Sequence, residues 1–242
     1  VVTAESGSGA RSIADNLHQI RRTMEAAALR VGRAPATIRL LGATKSVDIA
    51  RIRTAIQAGL ALCGENRLQE ALPKIESLKG LPVEWHFIGR LQRRKVKAVV
   101  GRFRMIQSVE DLELAEEIQR RSEEAGIDQP VLLEVNIGSE ASKGGFEPHA
   151  LERAMPELLA MRRLRIQGLM TIPPPEDDPE RARPHFRRLR ELAQSLARRD
   201  LPGLSMAELS MGMSHDYAVA IEEGATIVRI GTALFGTRSE HP

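Results

Sequence analysis

Cysteine is nearly missing from this sequence. Cys63 is the single one in 242 residues, so no disulfide can close within the chain, and a cytoplasmic setting is expected. Aromatic side chains make up only 3%, which leaves few rings for stacking exposed bases. No apolar run approaches the ~18 residues of a membrane-spanning helix. The stretch Val1 to Gly9 carries Glu5 and small residues but no hydrophobic segment, so no secretory signal is expected. Thirty-five basic residues against 32 acidic ones leave a formal charge of +3, too weak a bias to imply a nucleic-acid partner. His18, His86, His149, His185, His215, His241 and Cys63 show no metal-ligand spacing. A dinucleotide turn is also missing, because the one Gly-x-Gly, Gly7–Gly9, follows no strand.

What is present points to an ordinary folded chain, 42% hydrophobic and 28% charged. A body of this length buries about 70% or more of its unfolded surface. Ile13, Leu17, Ile20, Met24, Ala27, Ala28 and Val31 recur at steps of three and four, which predicts an amphipathic helix over Ser12–Val31 that stops at Gly32. Short apolar runs then alternate with helical patterns. The expected strands are Ile38–Ala43, Leu60–Cys63, Glu84–Ile88, Arg104–Gln107, Val131–Ile137, Arg165–Met170, Glu208–Met211 and Thr226–Ile230. Ile49, Ile52 and Ile56 mark a helix ending at Gly59, and Leu112, Ala115 and Ile118 mark another ending near Gly126. Ser108–Val109–Glu110–Asp111 reads as a capping box for the latter. Eight such units predict an α/β fold, a single (β/α)8 TIM barrel over residues 11–238 with an extra N-terminal helix. Residues 1–10 are expected to be a flexible lead and 239–242 a tail. The cluster Pro173, Pro174, Pro175, Pro179 and Pro184 reads as a loop after the sixth strand.

In a barrel, chemistry collects where the strands end. Lys45 closes the first strand, where burial would lower the amine's pKa and make it a nucleophile; an ordinary lysine would instead reach solvent there. Gly212 and Ser214 follow the seventh strand, Gly231 and Thr232 the eighth. Glycine N–H groups and hydroxyls at those two ends suit a phosphate, although such pairs also serve as helix caps. Arg229 alternates with Val228 and Ile230. If it points inward it needs a ligand or a carboxylate; if outward, it would rest against a helix dipole or an acid. The sequence leaves both directions open. A lysine nucleophile, a phosphate cradle and a cation together suggest pyridoxal 5'-phosphate, with Lys45 forming a Schiff base, Arg229 at the pyridine nitrogen, and Ser214 and Thr232 by the phosphate.

Two other constellations carry less. His215 and Asp216 are neighbours, and adjacent helical residues do not face one another. Arg90, Arg93, Arg94, Lys95, Lys97, Arg102 and Arg104 form a basic run without an acid, read as a solvated helix face rather than a polyanion site.

The stretches Gly42–Ala43–Thr44–Lys45, Gly64–Glu65–Asn66, Trp85–Gly89, Asn136–Ile137 with Glu140, Lys143 and Gly145, Leu209–Ser214, and Arg229–Thr232 with Phe235–Gly236 resemble the pyridoxal phosphate homeostasis proteins, the YggS/PROSC type. The resemblance runs from about Ile13 to Arg238. It implies a barrel like the N-terminal domain of alanine racemase, with pyridoxal phosphate on Lys45. It further implies Asn66 near the cofactor ring, Arg229 at its nitrogen, and Ser214, Gly231 and Thr232 around its phosphate. Lys143 is the second lysine that the resemblance offers to handle cofactor. Such proteins are regarded as carriers or regulators without an established reaction, so a cofactor-buffering protein is expected, with recipient pyridoxal-phosphate enzymes as partners. A monomer, no nucleic acid and no membrane complete the expectation. This sequence departs from the family pattern at Leu91–Gln92–Arg93–Arg94–Lys95, where Leu-Gln-x-Asn-Lys is common, and at Arg67, where an aromatic residue is usual. The runner-up is a racemase-like enzyme. Racemisation in the alanine racemase arrangement needs a tyrosine opposed to the lysine. Tyr217, the single tyrosine, is expected on a helix at the phosphate end. With the chain ending six residues after Gly236, no C-terminal domain is expected to supply another.

Overall fold

The computed structural model describes residues 11–138 and 144–236. Helix α1 (Ile13–Arg30) precedes eight strands: β1 (Arg39–Ala43), β2 (Leu62–Glu65), β3 (Glu84–Phe87), β4 (Met105–Val109), β5 (Gln129–Glu134), β6 (Leu164–Met170), β7 (Glu208–Ser210) and β8 (Ile227–Ile230). They pair in chain order, all parallel, and β8 closes on β1 with Leu41 opposite Arg229 and Gly42 opposite Ile230. Helices α2 (Ile49–Gln57), α3 (Leu68–Ser77), α4 (Val96–Val99), α5 (Leu112–Ala125), α6 (Pro148–Ala160), α7 (Arg183–Ala197), α8 (Tyr217–Glu222) and α9 (Thr232–Phe235) follow the strands in turn. This is the expected (β/α)8 barrel with an added first helix. The expected lead 1–10, Glu140 and Lys143, and residues 237–242 lie outside the described residues.

The sequence period explains the layers. Leu17, Ile20, Met24, Ala27 and Ala28 form the buried stripe of α1, and Ser12 caps the helix in a reciprocal pair with Asp15. Asn16 donates to the Leu234 carbonyl at 3.0 Å, and Arg30 pairs with Glu222 at 2.6 Å. The extra helix is thereby tied to α8 and α9. Strand residues facing the helices, such as Cys63, Phe87, Ile106, Leu133, Val228 and Ile230, are buried in the main core. Alternate residues face inward and form small separate clusters: Leu41, Leu62, Ile88 and Ile227 in one, Met105, Leu132 and Met170 in another. Each fully buried aliphatic chain contributes roughly 1.5–3 kcal/mol. The core therefore lies mostly between strands and helices, and the barrel lumen is left to a mixed apolar and polar filling.

Two local expectations are corrected. The N-cap of α5 is Asp111, whose side chain accepts from the Leu114 N–H at 2.7 Å. Ser108 stays in β4 and donates its hydroxyl to the Gly89 carbonyl at 2.6 Å. Strand pairing carries β4 through Val109, so the serine is consumed by the sheet and no capping box forms. The basic run 90–104 is not one helix face. It holds a short 3-10 turn (Arg93–Lys95) and the single-turn α4 before Gly101 turns the chain with φ of +77°. Only Val96 and Val99 are buried within α4, too short an apolar stripe to extend a helix.

Candidate functional site

The six residues singled out by sequence, Lys45, Asn66, Ser214, Arg229, Gly231 and Thr232, line one cavity of about 370 Å³ at the C-terminal ends of the strands. The structure brings all six together. A larger hollow, about 870 Å³, opens at the opposite end, where β1, β2 and β3 begin. It contains none of them.

Lys45 leaves β1 half-buried, and no hydrogen bond or ion pair to its ammonium is present among the described residues. Its backbone neighbours are held tightly. The Thr44 N–H donates to the Gly64 carbonyl at 2.9 Å. Lys74, on α3, donates to the Thr44 carbonyl at 2.8 Å and pairs with Glu65 at 2.7 Å. The Thr44 hydroxyl donates to the same Glu65 oxygen, Oε1, at 2.6 Å. Ser46 adopts φ of +59°, a left-handed conformation uncommon for a residue with a side chain. Its N–H donates to Glu70 Oε2 at 2.9 Å, which holds that strained turn. Glu65 and Lys74 are 0% and 7% exposed, so this ion pair is shielded from water and salt.

Arg229 points inward, which resolves the two directions left open above. It is 4% exposed. Its guanidinium donates to Ser210 Oγ at 2.8 Å and to the Thr171 carbonyl at 2.8 Å. Ser210 donates onward to Gln107 Oε1 at 2.6 Å, and the Gln107 amide faces His86 Nδ1 at 2.8 Å. The relay runs one way: each donor spends its hydrogen on the next acceptor. His86 Nδ1 therefore accepts, and its N–H sits on Nε2, which has no hydrogen-bond partner. Burial and the charges of Arg39 and Arg104 push the His86 pKa down to about 3, so the ring is neutral. Burial likewise pulls Arg229 down to about 10, while the charges of Glu134 and Asp216 oppose that pull. Glu134 is pushed up to about 7 by burial and by Glu110, against the pull of Arg229 and Arg90.

The opposite wall is built by β7, β8 and the turns after them. Ser214 Oγ accepts from the Gly231 and Ala233 N–H groups at 3.3 and 3.2 Å. Asp216 accepts from the Met213 N–H at 2.6 Å and stiffens the turn. Gly212, with φ of +90°, lets that turn close on α8: a Cβ there would come within 2.5 Å of the Ala220 side chain. The two N–H groups converge on the Ser214 oxygen, which leaves the Ser214 O–H to donate into the cavity and marks a place where an oxyanion would find donors.

Sequence reading missed Glu65, Thr44 and Lys74 as a unit, and Gln107 and His86 as the support of Arg229. Glu65 stood inside a recognised motif, but Lys74 lies mid-helix with nothing to distinguish it. His86 and Gln107 follow the period-two alternation of β3 and β4, a signal that points each inward without naming its partner. His215 lines the cavity and bonds the Asp177 carbonyl at 2.8 Å. Asp216 precedes α8 and caps the turn, so the two residues are not a functional pair. Tyr217 opens α8 as expected and is not among the residues lining the cavity. Among the described residues, no group of His, Cys, Asp or Glu could hold a metal ion, and no helix is long and apolar enough to cross a membrane.

Residues 11–239 match the family model of the alanine racemase N-terminal domain. The chain is 49% identical to the pyridoxal phosphate homeostasis protein of Aquifex aeolicus, over 93% of this chain and 97% of that one. It is 44% identical to the protein of the same name in Pseudomonas aeruginosa, over 94% and 96%. PipY of Synechococcus elongatus PCC7942, solved with PLP bound, superposes with a TM-score of 0.81 at 34% identity, covering 93% of this chain and all of that one. The chain thus belongs to the family of the pyridoxal phosphate homeostasis proteins, on the barrel of the alanine racemase N-terminal domain.

Proposed function

We propose that this protein binds pyridoxal 5'-phosphate through Lys45 and keeps it in reserve for other proteins of the cytoplasm, without turning over amino acids. The observation that carries the reading is the gathering of Lys45, Arg229 and the Ser214–Gly231 donor group around one cavity. The residues present fit the cofactor. A lysine amine suits an aldehyde, a guanidinium suits a pyridine nitrogen, and hydroxyl donors suit a phosphate. Asn66 lines the same cavity as Lys45, and Thr232 adds a hydroxyl next to Gly231. When bound, the cofactor supplies an electrophilic aldehyde carbon and a ring whose electron demand depends on protonation of its nitrogen.

The protein side argues against turnover. Arg229 remains a cation at neutral pH and can only donate. Arg229 would hold the ring nitrogen as an acceptor in a carrier and in a racemase-like enzyme alike, so the distinction falls to the base opposite Lys45. The tyrosine that would oppose the lysine in a racemase has no counterpart in the lining of this cavity. Recipient enzymes are the partners this reading implies.

Borohydride reduction of the loaded protein followed by peptide mapping tests the attachment. Label on Lys45, lost in Lys45→Ala, is expected; label confined to Lys143 would overturn the assignment. Incubation with single amino-acid enantiomers in deuterated water tests the second half. No catalytic α-deuterium exchange is expected, and exchange that disappears in Lys45→Ala would make the protein an enzyme.

A further inference from the structure

A second hollow, about 280 Å³, adjoins the first and shares Lys45 and Asn66 with it. It lies toward β2 and β3, whereas the Ser214–Gly231 donors lie across the lysine toward β7 and β8. Arg67, Arg90 and Lys95 complete its charged lining, and no carboxylate lines it. The nearby acids are engaged elsewhere. Glu70 accepts from the Ser46 N–H and stands 3.7 Å from Lys74, which leaves Arg67 only a long 3.4 Å contact to it. Glu110 takes Arg90 Nε at 2.9 Å. Lys95 has no carboxylate at all among the described residues, and with Lys45 committed to the cofactor the hollow keeps Arg67, Arg90 and Lys95 as its cations. A concave surface of one sign with an uncompensated ammonium group concentrates anions.

The floor is fixed by packing, and the exposed Arg67 and Arg90 reach over it from solvent. Phe87 is buried and packs edge-on against Phe103 with ring centroids 5.4 Å apart. Gly89 permits a close approach of the β3 end to the β2 end: a Cβ there would fall 2.4 Å from the Asn66 carbonyl oxygen. The Ser108 hydroxyl pins the Gly89 carbonyl from below. The volume is smaller than the roughly 300–1,000 Å³ of pockets for drug-sized ligands, so the hollow suits a small oxyanion.

We propose that this hollow is a second oxyanion subsite, distinct from the phosphate cradle, which receives the carboxylate or phosphate of a small molecule arriving at or leaving Lys45. The proposal rests on the cofactor reading above, since it assigns the hollow to traffic at a lysine already occupied. A carboxylate would come from an amino acid or another small acid, and a phosphate from a phosphate ester such as a second cofactor molecule in transit.

The test uses the loaded protein, its cofactor content read first by absorbance. An absence of cofactor colour defeats the reading of Lys45 and is seen before any titration. Inorganic phosphate and acetate are then titrated separately by calorimetry in chloride-free buffer. Saturable one-to-one binding of at least one probe is expected, weakened about tenfold by Lys95→Met and by Arg67→Gln, because each removes a charge-assisted donor. Binding of phosphate alone assigns the subsite to phosphate esters, binding of acetate alone to carboxylates, and binding of both to either class. The cofactor absorbance of the same samples shows that each variant is folded and loaded. No binding of either probe, or binding that both variants leave unchanged, overturns the proposal.

Discussion

The two ends of the cavity at the strand ends are supported by opposite physical means. At the lysine end, a helix reaches under the strand ends with a buried ion pair: Lys74 of α3 holds Glu65 and the Thr44 carbonyl together. At the arginine end, no helix contributes to the relay. Arg229, Ser210, Gln107 and His86 form it from strands alone, and it carries a single full charge. An ion pair is strong but indifferent to direction, and it anchors the backbone of a turn that must hold Lys45. A relay of neutral groups is weaker and directional: Arg229, which can only donate, sets its sense, and the relay holds the guanidinium in place. The lysine's turn is fixed by charge, and the arginine by directed hydrogen bonds.

The comparison breaks most visibly at Lys74. Lys74→Met leaves the Glu65 carboxylate buried with no cation, and its Oε2 already lacks a hydrogen-bond partner. Loss of one member of a buried pair costs about 3–5 kcal/mol. Urea unfolding should show a loss of that size, and adding Glu65→Gln to the same chain should recover a large part of it. A Lys74→Met protein as stable as its parent would falsify the view that the pair holds this end.

Glu134 sharpens the comparison through pH. Its folded pKa of about 7 lies above the ordinary 4.5, so the native state binds the proton more tightly than the unfolded chain. Stability from this group is fully present below about pH 4.5 and is lost as pH rises toward 7. The loss reaches at most about 3 kcal/mol. Glu134→Gln should flatten this part of the stability profile and leave the variant more stable at pH 8. If thermal melts across pH 4–8 give parallel curves for both proteins, the carboxyl is not under the stress described.

A smaller effect is expected in the relay itself. Gln107→Leu leaves Ser210 without its acceptor and His86 Nδ1 without its donor, at a cost of about 1–3 kcal/mol. Because His86 is held near 3, below its ordinary 6.5, its contribution is present above about pH 6.5 and fades as pH falls toward 3. The variant should lose part of this acid sensitivity. If the protein holds cofactor against Arg229, its absorbance maximum should shift as well, since Ser210 loses its acceptor and no longer fixes one of the two bonds that orient Arg229. An unchanged spectrum with lowered stability would mean that the relay only fills space.

The barrel was legible because its grammar is local. Apolar runs such as Glu84–Ile88 and Thr226–Ile230 alternate with helical stripes, and each unit declares itself within about 25 residues. The six cavity residues were legible because strand ends carry them and sequence motifs frame them. What stayed hidden depends on distance in the chain. Ser210 meets Gln107 across 103 positions, and Arg229 meets Thr171 across 58. Lys74 looks like any lysine on α3 until the helix is laid under β1 and β2. The Ser108 capping box failed for the same reason: whether a serine caps or pairs is decided by how far the strand runs, which is a tertiary matter.

The smallest expected effect contrasts the same chemistry in water. Arg93 pairs with Glu113 on the surface, each side chain more than 60% exposed, whereas Lys74 and Glu65 pair out of solvent. An exposed pair gains little Coulomb energy at high dielectric and must order two long side chains. Arg93→Ala should therefore change unfolding stability by about 0–1 kcal/mol, and the change should shrink further as salt is raised from low ionic strength, where the Debye length is roughly 30 Å, to physiological salt, where it is about 8 Å. The Lys74→Met loss should hold nearly constant over the same range, because neither of its partners faces the ions. Parallel urea titrations at two salt concentrations make the distinction. If the Arg93→Ala loss is as large as that of Lys74→Met, or if both respond equally to salt, then burial is not what separates the two pairs. The contrast drawn between the lysine end and the protein surface would then fail with it.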